Sequence, residues 1–477
     1  FYASPELSPD GQFAFVEWNH PAMPWDSSLL KVGRLQFEDG PALTDIQTIA
    51  GIEHAGLDGV AVQHPRWGSD GSLVFTSDAS GHHLLCAWSN GQTRRLHSDS
   101  ADFDLPKWVL GNHAHAELDA DHILGWSLTE GQGQLVVVST TGEPTRRLAG
   151  VSMVDSLCAC LGQGYAIVDR PAHPRALVRV PVGGKLHVVR QLGAEPEHEY
   201  VSVARSLLFD GRHGPVQAWY YPPTNPEFKS PPAVRPPLLV RVHGGPTAIA
   251  TNGYDPVVQF WTTRGFAVLD VNYSGSSGFG RRWRNRLRGL WGVAEVDDCV
   301  DAAEAAIDAG LADPGRIAIS GGSAGGFTAL RALTTSKRFA AGITRYGVTD
   351  LVALLDTHKF ESRYMESLVG PYPKDERIYR TRSPINNLDK LANPILILQG
   401  SADPVVPLAQ SEALAQAARD RKLPMAFLVF EGEGHGFRKA DTRERALAAE
   451  LSFLAQMFGF TPADELPALE IENLPAG

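Results

Sequence analysis

The residues best suited to chemistry surround one serine. Ser323 stands in the run Gly-Gly-Ser-Ala-Gly-Gly at 321–326, between a strand-like segment at 316–320 and a helix-forming segment that begins at Gly325. A serine hydroxyl is a weak nucleophile, so it must be displayed on a sharp strand-to-helix turn where a base can take its proton. Side chains at positions 321 and 325 would collide across such a turn. The pattern predicts a nucleophilic serine, with a structural glycine turn or a phosphate-binding loop as the alternatives.

An acid and a histidine follow Ser323 in the chain order that a Ser-Asp-His triad on an α/β sheet requires. Asp403 comes soon after the apolar run 394–399, and His435 lies in the glycine-containing loop 431–437, after the last predicted strand. His435 would act first as general base and then as acid, while Asp403 would hold its tautomer and stabilise the imidazolium. Rival acids for this orienting role are Asp350, Asp356, Asp389 and, as the strongest, Glu433.

The oxyanion formed during acyl transfer needs hydrogen-bond donors. One donor should be the backbone N–H of Ala324, the residue after the nucleophile. The other should come from a second loop, and His-Gly-Gly-Pro at 243–246 follows an apolar run directly and has glycines that permit close backbone approach. We expect the N–H of Gly245 to be this donor and His243 to hold the loop. This chemistry needs no metal and no cofactor, so we expect none.

These residues require a sheet to position them, and the second part of the chain predicts one. Apolar runs that alternate with amphipathic helical patterns are typical of parallel strands covered on both faces. The predicted strands are 238–242, 266–271, 316–320, 341–346, 394–399 and 425–430, and the predicted helices are 293–309, 325–335, 408–421 and 443–457. We therefore predict an α/β-hydrolase domain over 201–462, with a mostly parallel, doubly wound sheet and helices on both faces. An acidic, loosely held tail should follow at 463–477.

The first 200 residues predict short strands. Turn signals Ser-Pro-Asp-Gly and Gly-Ser-Asp-Gly precede strand-like runs at 12–18 and 72–77, and a second marker recurs at Leu96, Leu148 and Leu192, each with arginine two residues before it. Repeats of about 40 to 50 residues built from short strands indicate β-propeller blades. We expect about four blades over 1–200, as part of a larger propeller with blades missing upstream of Phe1. An irregular β-sandwich is the alternative.

Composition limits the remaining classes. The 477 residues are 43% hydrophobic and 20% charged, which excludes a disordered chain. A net charge of −11 argues against nucleic acid and anionic membrane as partners, and no apolar run is long enough to cross a bilayer. Four cysteines without disulfide-scaffold or zinc-site spacing favour a cytoplasmic protein. Because the chain begins with Phe1 and not Met, we expect a removed leader or a fragment.

From about residue 200 to 460, the motifs together resemble the catalytic domain of the prolyl oligopeptidase family of serine peptidases. They comprise 243–246, 272–280, Trp291-Gly292 with Asp297-Asp298, 321–326, 400–407 and 434–437. The His-Gly-Gly-Pro form is similar to the acylaminoacyl-peptidase branch. Two features depart from the family: Ser274 stands where many relatives have arginine, and about four blades are fewer than the usual seven or eight.

The resemblance implies a peptidase whose propeller admits only short peptides. The expected activity is that of an exopeptidase or oligopeptidase of the acylaminoacyl-peptidase type. Within the segment 357–364, Phe360 and Tyr364 would line an apolar pocket, unless the segment is only a surface helix. If Arg363 or Lys359 binds a peptide carboxylate, a carboxypeptidase of the same family results. A carboxylesterase is the alternative from another class, and a non-enzymatic scaffold would lack a triad residue. Association into a homo-oligomer would further restrict access.

Overall fold

The computed structural model describes residues 1–37, 40–53, 59–96, 101–106, 108, 110–183, 185–355, 359–391 and 393–474. The chain forms two compact units. The first comprises Phe1–Pro196, Thr251–Tyr254 and Ser277–Asn285, and the second comprises Glu197–Ala250, Asp255–Ser276 and Arg286–Gly477. The division therefore falls close to the boundary that the sequence predicts at residue 200. Two short segments of the predicted second domain belong instead to the first unit.

Among its described residues, the first unit contains four antiparallel sheets of four strands each, and in every sheet the strands follow their order in the chain. The first sheet consists of β1 (Tyr2–Leu7), β2 (Gln12–Glu17), β3 (Leu29–Gln36) and β4 (Ala42–Ala50). The second consists of β5 (Val62–Trp67), β6 (Leu73–Ser77), β7 (Leu84–Ser89) and β8 (Gln92–Arg95). The third consists of β9 (His115–Asp119), β10 (His122–Thr129), β11 (Gln132–Ser139) and β12 (Arg146–Leu148). The fourth consists of β13 (Met153–Cys160), β14 (Gln163–Asp169), β15 (Ala176–Pro181) and β16 (His187–Gln191).

These sheets confirm the β-propeller-like character that the sequence predicts for the first part of the chain. Each sheet is a meander of four strands, which is the build of one propeller blade. The repeated Arg-containing marker falls at the last strand of the second, third and fourth sheets, β8, β12 and β16. The marker therefore identifies the last strand of a sheet, which pairs with only one neighbouring strand.

The two short segments join the first unit through polar contacts. The N–H of Gly280 donates to Asp102 Oδ2 over 2.7 Å, and Arg281 forms an ion pair with the buried Asp78. The N–H of Tyr254 donates to the carbonyl of Arg170 over 2.7 Å. Each of these contacts joins residues far apart in the chain, and hydrophobic periodicity carries no information about such pairs.

In the part of the second unit that the structure describes, the strands form one eight-stranded sheet. Its strands are β17 (Arg205–Gly211), β18 (Gly214–Tyr221), β19 (Leu238–Val242), β20 (Ala267–Asn272), β21 (Ile317–Gly322), β22 (Ala341–Arg345), β23 (Ile395–Gly400) and β24 (Met425–Phe430). Their order is β17-β18-β20-β19-β21-β22-β23-β24. The six strands β19 to β24 pair in parallel, and β17 and β18 pair antiparallel at one edge. All six parallel strands were predicted from the sequence, whereas β17 and β18 were not.

Eight α-helices lie among the described residues. They are α1 (Pro256–Thr263), α2 (Gly280–Asn285), α3 (Ala294–Asp308), α4 (Ala324–Thr335), α5 (Tyr364–Leu368), α6 (Glu376–Arg382), α7 (Leu408–Asp420) and α8 (Ala440–Phe458). Short 3-10 helices occur at His198–Tyr200, Ala353–Leu355 and Pro384–Lys390. The four predicted helices correspond to α3, α4, α7 and α8 and are confirmed to within three residues at each end. No described helix is long and apolar enough to span a membrane.

Both faces of the eight-stranded sheet are buried. Residues of α3, α4 and α7 form one hydrophobic core with one face, and residues of α1 and α8 form a second core with the other. Within β19, Leu238 and Val240 contribute to the first core and Leu239 to the second. Successive strand side chains point to opposite faces, so a strand covered on both faces is apolar throughout. The predicted α/β-hydrolase fold is confirmed.

The acidic tail is attached to the second unit more firmly than the sequence predicts. Asp464 forms an ion pair with Arg264, and Glu472 forms one with Arg419. Met425 and Glu472 also form an isolated antiparallel β-bridge. The tail up to residue 474 is therefore held by complementary charges and backbone hydrogen bonds that composition alone does not indicate.

Candidate active site

Ser323 occupies a sharp turn between the end of β21 and the start of α4. Its backbone angles are φ 56° and ψ −123°, a conformation that non-glycine residues rarely adopt and that is typical of strained functional turns. A Cβ atom added to Gly321 would lie 2.3 Å from the carbonyl oxygen of Gly325, and one added to Gly325 would lie 2.2 Å from that of Val242. The steric need for glycine that the sequence predicts at these two positions is therefore present.

The structure brings the three predicted triad residues together. Ser323 Oγ lies 2.9 Å from Nε2 of His435, and Nδ1 of the same ring lies 2.8 Å from Oδ2 of Asp403. With the proton on Nδ1, His435 donates to the carboxylate and can accept the proton of the serine hydroxyl at Nε2. This arrangement can activate a serine for attack on a carbonyl carbon.

Asp403 is held as a carboxylate. Burial opposes its ionisation, but hydrogen bonds from His435 and from the N–H groups of Val406 and Val405 outweigh that effect and lower the pKa of Asp403 below its usual value. Both backbone donors bind Oδ1, at 2.8 Å from Val405 and 2.9 Å from Val406. Oδ2 faces the imidazole, as an orienting acid requires, and also accepts a longer hydrogen bond of 3.4 Å from Nε2 of Gln399.

The rival acids have other partners or positions. Glu433 accepts hydrogen bonds from the N–H groups of Arg438 and Lys439, at 3.0 and 2.9 Å, just before α8. Asp350 accepts from the N–H of Val352, and Asp389 is exposed. Asp356 lies outside the described residues.

The loop 243–246 lies against the serine turn. A Cβ atom on Gly244 would be 3.2 Å from the carbonyl oxygen of Gly322 and 3.5 Å from Cβ of Ser323. Gly245 has a φ of +120°, which L side chains rarely adopt. Ala324 is the first residue of α4, so its N–H has no acceptor within the helix. Both predicted oxyanion donors thus belong to segments that border Ser323.

A buried polar network fixes this loop. His243 Nδ1 lies 2.8 Å from the carbonyl oxygen of Gly244, and its Nε2 lies 2.7 Å from Oγ of Ser276. Burial lowers the pKa of His243 to about 4, so the ring is neutral near pH 7. The Tyr273 hydroxyl lies 3.0 Å from the carbonyl oxygens of both His243 and Pro246. Because Gly244 C=O and Gly245 N–H share one peptide plane, this network orients the candidate donor.

The sequence did not predict the contributions of Tyr273 and Ser276. Both residues lie in the motif 272–280, directly after β20, so the motif itself was the available signal. Ser274, between them, donates its N–H to the buried Asp298 over 2.6 Å. The motif therefore forms a loop that binds neighbouring segments through the hydroxyl groups of Tyr273 and Ser276 and the backbone N–H of Ser274.

The predicted substrate residues make other contacts. The Tyr364 side chain is buried, and its hydroxyl lies 2.5 Å from Oγ1 of Thr247, in the chain just after Gly245. Arg363 is exposed and forms an ion pair with Glu366. Phe360 is partly buried, and residues 357 and 358 lie outside the described residues. A substrate role for Phe360, Arg363 and Tyr364 remains a prediction.

The fold and this constellation define a serine hydrolase of the α/β-hydrolase type. Among the described residues, no cluster of three or more metal-ligating side chains includes a triad member. The chemistry that the arrangement supports is acyl transfer through serine, with a neutral imidazole as base and backbone amides facing the developing charge.

Comparison with known proteins identifies the family. The profile of the prolyl oligopeptidase family matches residues 252–461. The solved structure of a Mycobacterium tuberculosis puromycin-hydrolyzing peptidase superposes with a TM-score of 0.93 at 40% identity, covering 99% of this chain and 72% of that one. The chain belongs to the prolyl oligopeptidase family of serine peptidases.

Two curated relatives each match about half of the chain. Dipeptidyl aminopeptidase BIII of Pseudoxanthomonas mexicana is 36% identical over 47% of this chain and 33% of its own length. The acylamino-acid-releasing enzyme of Arabidopsis thaliana is 28% identical over 49% of this chain and 32% of its own length. The chain thus spans about a third of the length of these relatives.

Proposed function

We propose that the protein hydrolyses amide bonds in short peptides and aminoacyl amides through an acyl-enzyme on Ser323. The observation that carries this proposal is the continuous chain of hydrogen bonds from Ser323 through His435 to Asp403. No cofactor takes part in the proposed steps.

In the first half of the reaction, Ser323 Oγ attacks the scissile carbonyl carbon while Nε2 of His435 takes its proton. The oxyanion accepts hydrogen bonds from the N–H groups of Gly245 and Ala324. The imidazolium, stabilised by Asp403, then gives its proton to the leaving amine, and the acyl-enzyme remains. In the second half, His435 activates a water that attacks the ester, and Ser323 leaves with its proton restored.

We propose that the preferred substrates have a free α-amino group on the residue before the scissile bond. The support is the 40% identity, over nearly the whole chain, to a peptidase described as hydrolysing puromycin. Puromycin is an aminoacyl amide whose α-amino group is free.

An acylaminoacyl-peptidase activity is the second candidate. The His-Gly-Gly-Pro loop at 243–246 and the similarity to the Arabidopsis acylamino-acid-releasing enzyme favour it.

We propose the cytoplasm as the compartment. All four cysteines are free, and two of them, Cys158 and Cys160, are exposed on one strand. Exposed thiols persist in a reducing environment and are oxidised in secreted proteins.

The test compares the wild type with Ser323→Ala and a control, Ser89→Ala, which changes an exposed serine of the first unit. Each protein is incubated with puromycin, one peptide with both termini free, its N-acetylated form, its C-terminally amidated form and a matched ester. Products are read by mass. A fluorophosphonate probe reports the reactivity of the serine independently of the substrate.

We expect the wild type and Ser89→Ala to cleave puromycin and the free peptide and to take up the probe, and Ser323→Ala to do neither. Release of an acetylated amino acid would favour the second candidate. Loss from the C-terminus that amidation blocks would indicate a carboxypeptidase, and turnover of the ester alone would indicate a carboxylesterase. Amide cleavage that survives Ser323→Ala would refute the proposed mechanism.

A further inference from the structure

Tyr346 has a left-handed backbone conformation and lies close to the serine turn. It directly follows β22, and its φ is +39°, a value that bulky side chains rarely adopt. Its N–H donates to the carbonyl oxygen of Leu398 over 2.7 Å, and the carbonyl of the preceding Arg345 accepts the N–H of Ser323 over 3.0 Å. The backbone is thus fixed on one side to β23 and on the other to the serine turn.

The ring of Tyr346 contacts the nucleophile turn. A Cβ atom added to Gly322, the residue before Ser323, would lie 2.9 Å from Cε2 of Tyr346 and 3.1 Å from its hydroxyl oxygen. The phenol therefore packs directly on the backbone of Gly322. This contact explains why position 322 is a glycine, since any larger side chain would displace the ring.

The same ring also contacts the candidate base. The ring centroids of Tyr346 and His435 are 5.0 Å apart at an interplanar angle of 62°, and those of Tyr346 and Phe437 are 5.1 Å apart at 89°. Phe437 in turn packs edge-on against Phe430, the last residue of β24. Aromatic pairs at these separations are attractive and have defined geometry.

The hydrogen bond between Ser323 and His435 joins elements that are not neighbours in the sheet. Ser323 follows β21 and His435 follows β24, with β22 and β23 between them. Arg345, the last residue of β22, is anchored by Glu450 of α8, whose side chain is fully buried. Tyr346 therefore extends from a fixed strand end and contacts both sides of the catalytic hydrogen bond.

We propose that Tyr346 is a positioning residue that sets the placement of the His435 ring relative to Ser323. This inference rests on the proposed function. The cost of its left-handed backbone is met by the folded sheet, and strained residues of this kind collect at functional sites. Loss of the ring would let the loop around His435 move, and an error of about 1 Å at the reacting atoms costs about 100-fold in rate.

The ring acts as a neutral packing surface. Burial raises the pKa of the Tyr346 phenol above its usual value, so it stays protonated near neutral pH. The ring itself contacts His435, and its Cε2 is the Tyr346 atom nearest to a Cβ on Gly322, so phenylalanine should replace tyrosine with little loss. This separates a positioning role from one that needs the hydroxyl.

The experiment compares Tyr346→Phe, Tyr346→Ala and Tyr346→Gly with the wild type and with Phe228→Ala, which removes an aromatic ring 74% exposed in the same unit. For each protein, kcat and KM on puromycin, the fluorophosphonate inactivation rate and the thermal unfolding temperature are measured.

For Tyr346→Ala, we expect kcat and the inactivation rate to fall together by about 10- to 100-fold, with KM changed by less than about threefold. Tyr346→Phe and Phe228→Ala should stay near the wild type. Tyr346→Gly should lose as much activity as Tyr346→Ala but unfold at a higher temperature than it, because glycine adopts a φ of +39° without strain.

Unchanged kcat in Tyr346→Ala would overturn the inference. A rise in KM alone would also overturn it, because the ring would then bind substrate. A loss in Tyr346→Phe equal to that in Tyr346→Ala would assign the effect to the hydroxyl and overturn it as well. If the wild type itself neither cleaves puromycin nor takes up the probe, the proposed function fails first, and that failure is distinct from the other three.

Discussion

Replacing Gly325 by alanine would test how strictly the serine turn is packed. The added Cβ atom would lie 2.2 Å from the carbonyl oxygen of Val242 and 2.8 Å from that of His243. Both contacts are with backbone, so no side-chain rotation relieves them. To reach the 3.0 Å below which real Cβ contacts are essentially never seen, α4 and the end of β19 must separate by about 0.8 Å.

That displacement acts on both halves of the candidate site. Val242 ends β19 and leads into the loop that carries Gly245, and Gly325 lies in the first turn of α4, directly after Ala324. The two oxyanion donors would therefore move apart. A shift of this size should lower kcat/KM by about 100-fold. Overpacking by one methyl group should also lower the free energy of unfolding by roughly 1–3 kcal/mol, which corresponds to about 2–12 °C in Tm.

The assay measures kcat/KM on puromycin, the fluorophosphonate inactivation rate and Tm for Gly325→Ala. Gly315→Ala is the matched control, because a Cβ atom there would meet its nearest neighbour, Oδ1 of Asp313, at an ordinary 3.5 Å. The control should match the wild type in all three measurements. If Gly325→Ala retained wild-type kcat/KM and Tm, the close approach of α4 and β19 would not be what holds the turn, and the reasoning would be refuted.

Two further predictions concern acids that the fold treats differently. Asp403→Asn should lower kcat by about 10⁴-fold with little change in KM, because an amide cannot hold His435 in the required tautomer, while Glu433→Gln should stay close to the wild type. A larger loss of kcat in Glu433→Gln than in Asp403→Asn, measured by steady-state kinetics, would instead make Glu433 the orienting acid. Burial raises the pKa of Glu295 to about 8, so between pH 4.5 and 8 the folded state binds a proton that the unfolded state has lost, and stability falls as pH rises through this window. Glu295→Gln should remove that dependence. Relative to the wild type, its free energy of unfolding should rise by roughly 3–5 kcal/mol as the pH goes from 5 to 8, measured by urea unfolding. Parallel curves of unfolding free energy against pH for the two proteins would contradict this prediction.

Much of the second unit could be predicted because its signals are local. A strand such as β19 is apolar throughout because both of its faces are covered, and that property is visible in five consecutive residues. The two antiparallel strands were missed: β17, at the edge of the sheet, and β18, next to it. In β17 exposed and partly buried residues alternate, and its apolar signal is correspondingly weak.

For the first unit, the type of structure could be predicted from the sequence. Turn residues and the repeated Arg-containing marker indicated four groups of short strands, and four sheets are present among the described residues. The assignment of Ser277–Asn285 to this unit was missed, since it depends on Asp78 and Asp102 meeting Arg281 and Gly280 from distant parts of the chain.

The sequence by itself determined which residues could form a triad. The order serine, acid, histidine and the place of each after a predicted strand singled out Ser323, Asp403 and His435 without coordinates. Parallel strands end at one edge of a sheet, so residues after their carboxyl ends are brought near each other whatever the loops contain.

Only the tertiary structure decided which groups support them. From the sequence, Glu433 and Asp403 are two similar candidates for the orienting acid. In the structure, the carboxylate of Glu433 accepts hydrogen bonds from the backbone N–H groups of Arg438 and Lys439, whereas that of Asp403 faces His435. In the sequence, nothing distinguishes Tyr273 and Tyr346 from the other aromatic residues. In the structure, the Tyr273 hydroxyl donates to the carbonyl of Pro246 in the oxyanion loop, and the Tyr346 ring contacts the imidazole of His435. Such contacts depend on distances between side chains remote in sequence, and composition and spacing do not encode those distances.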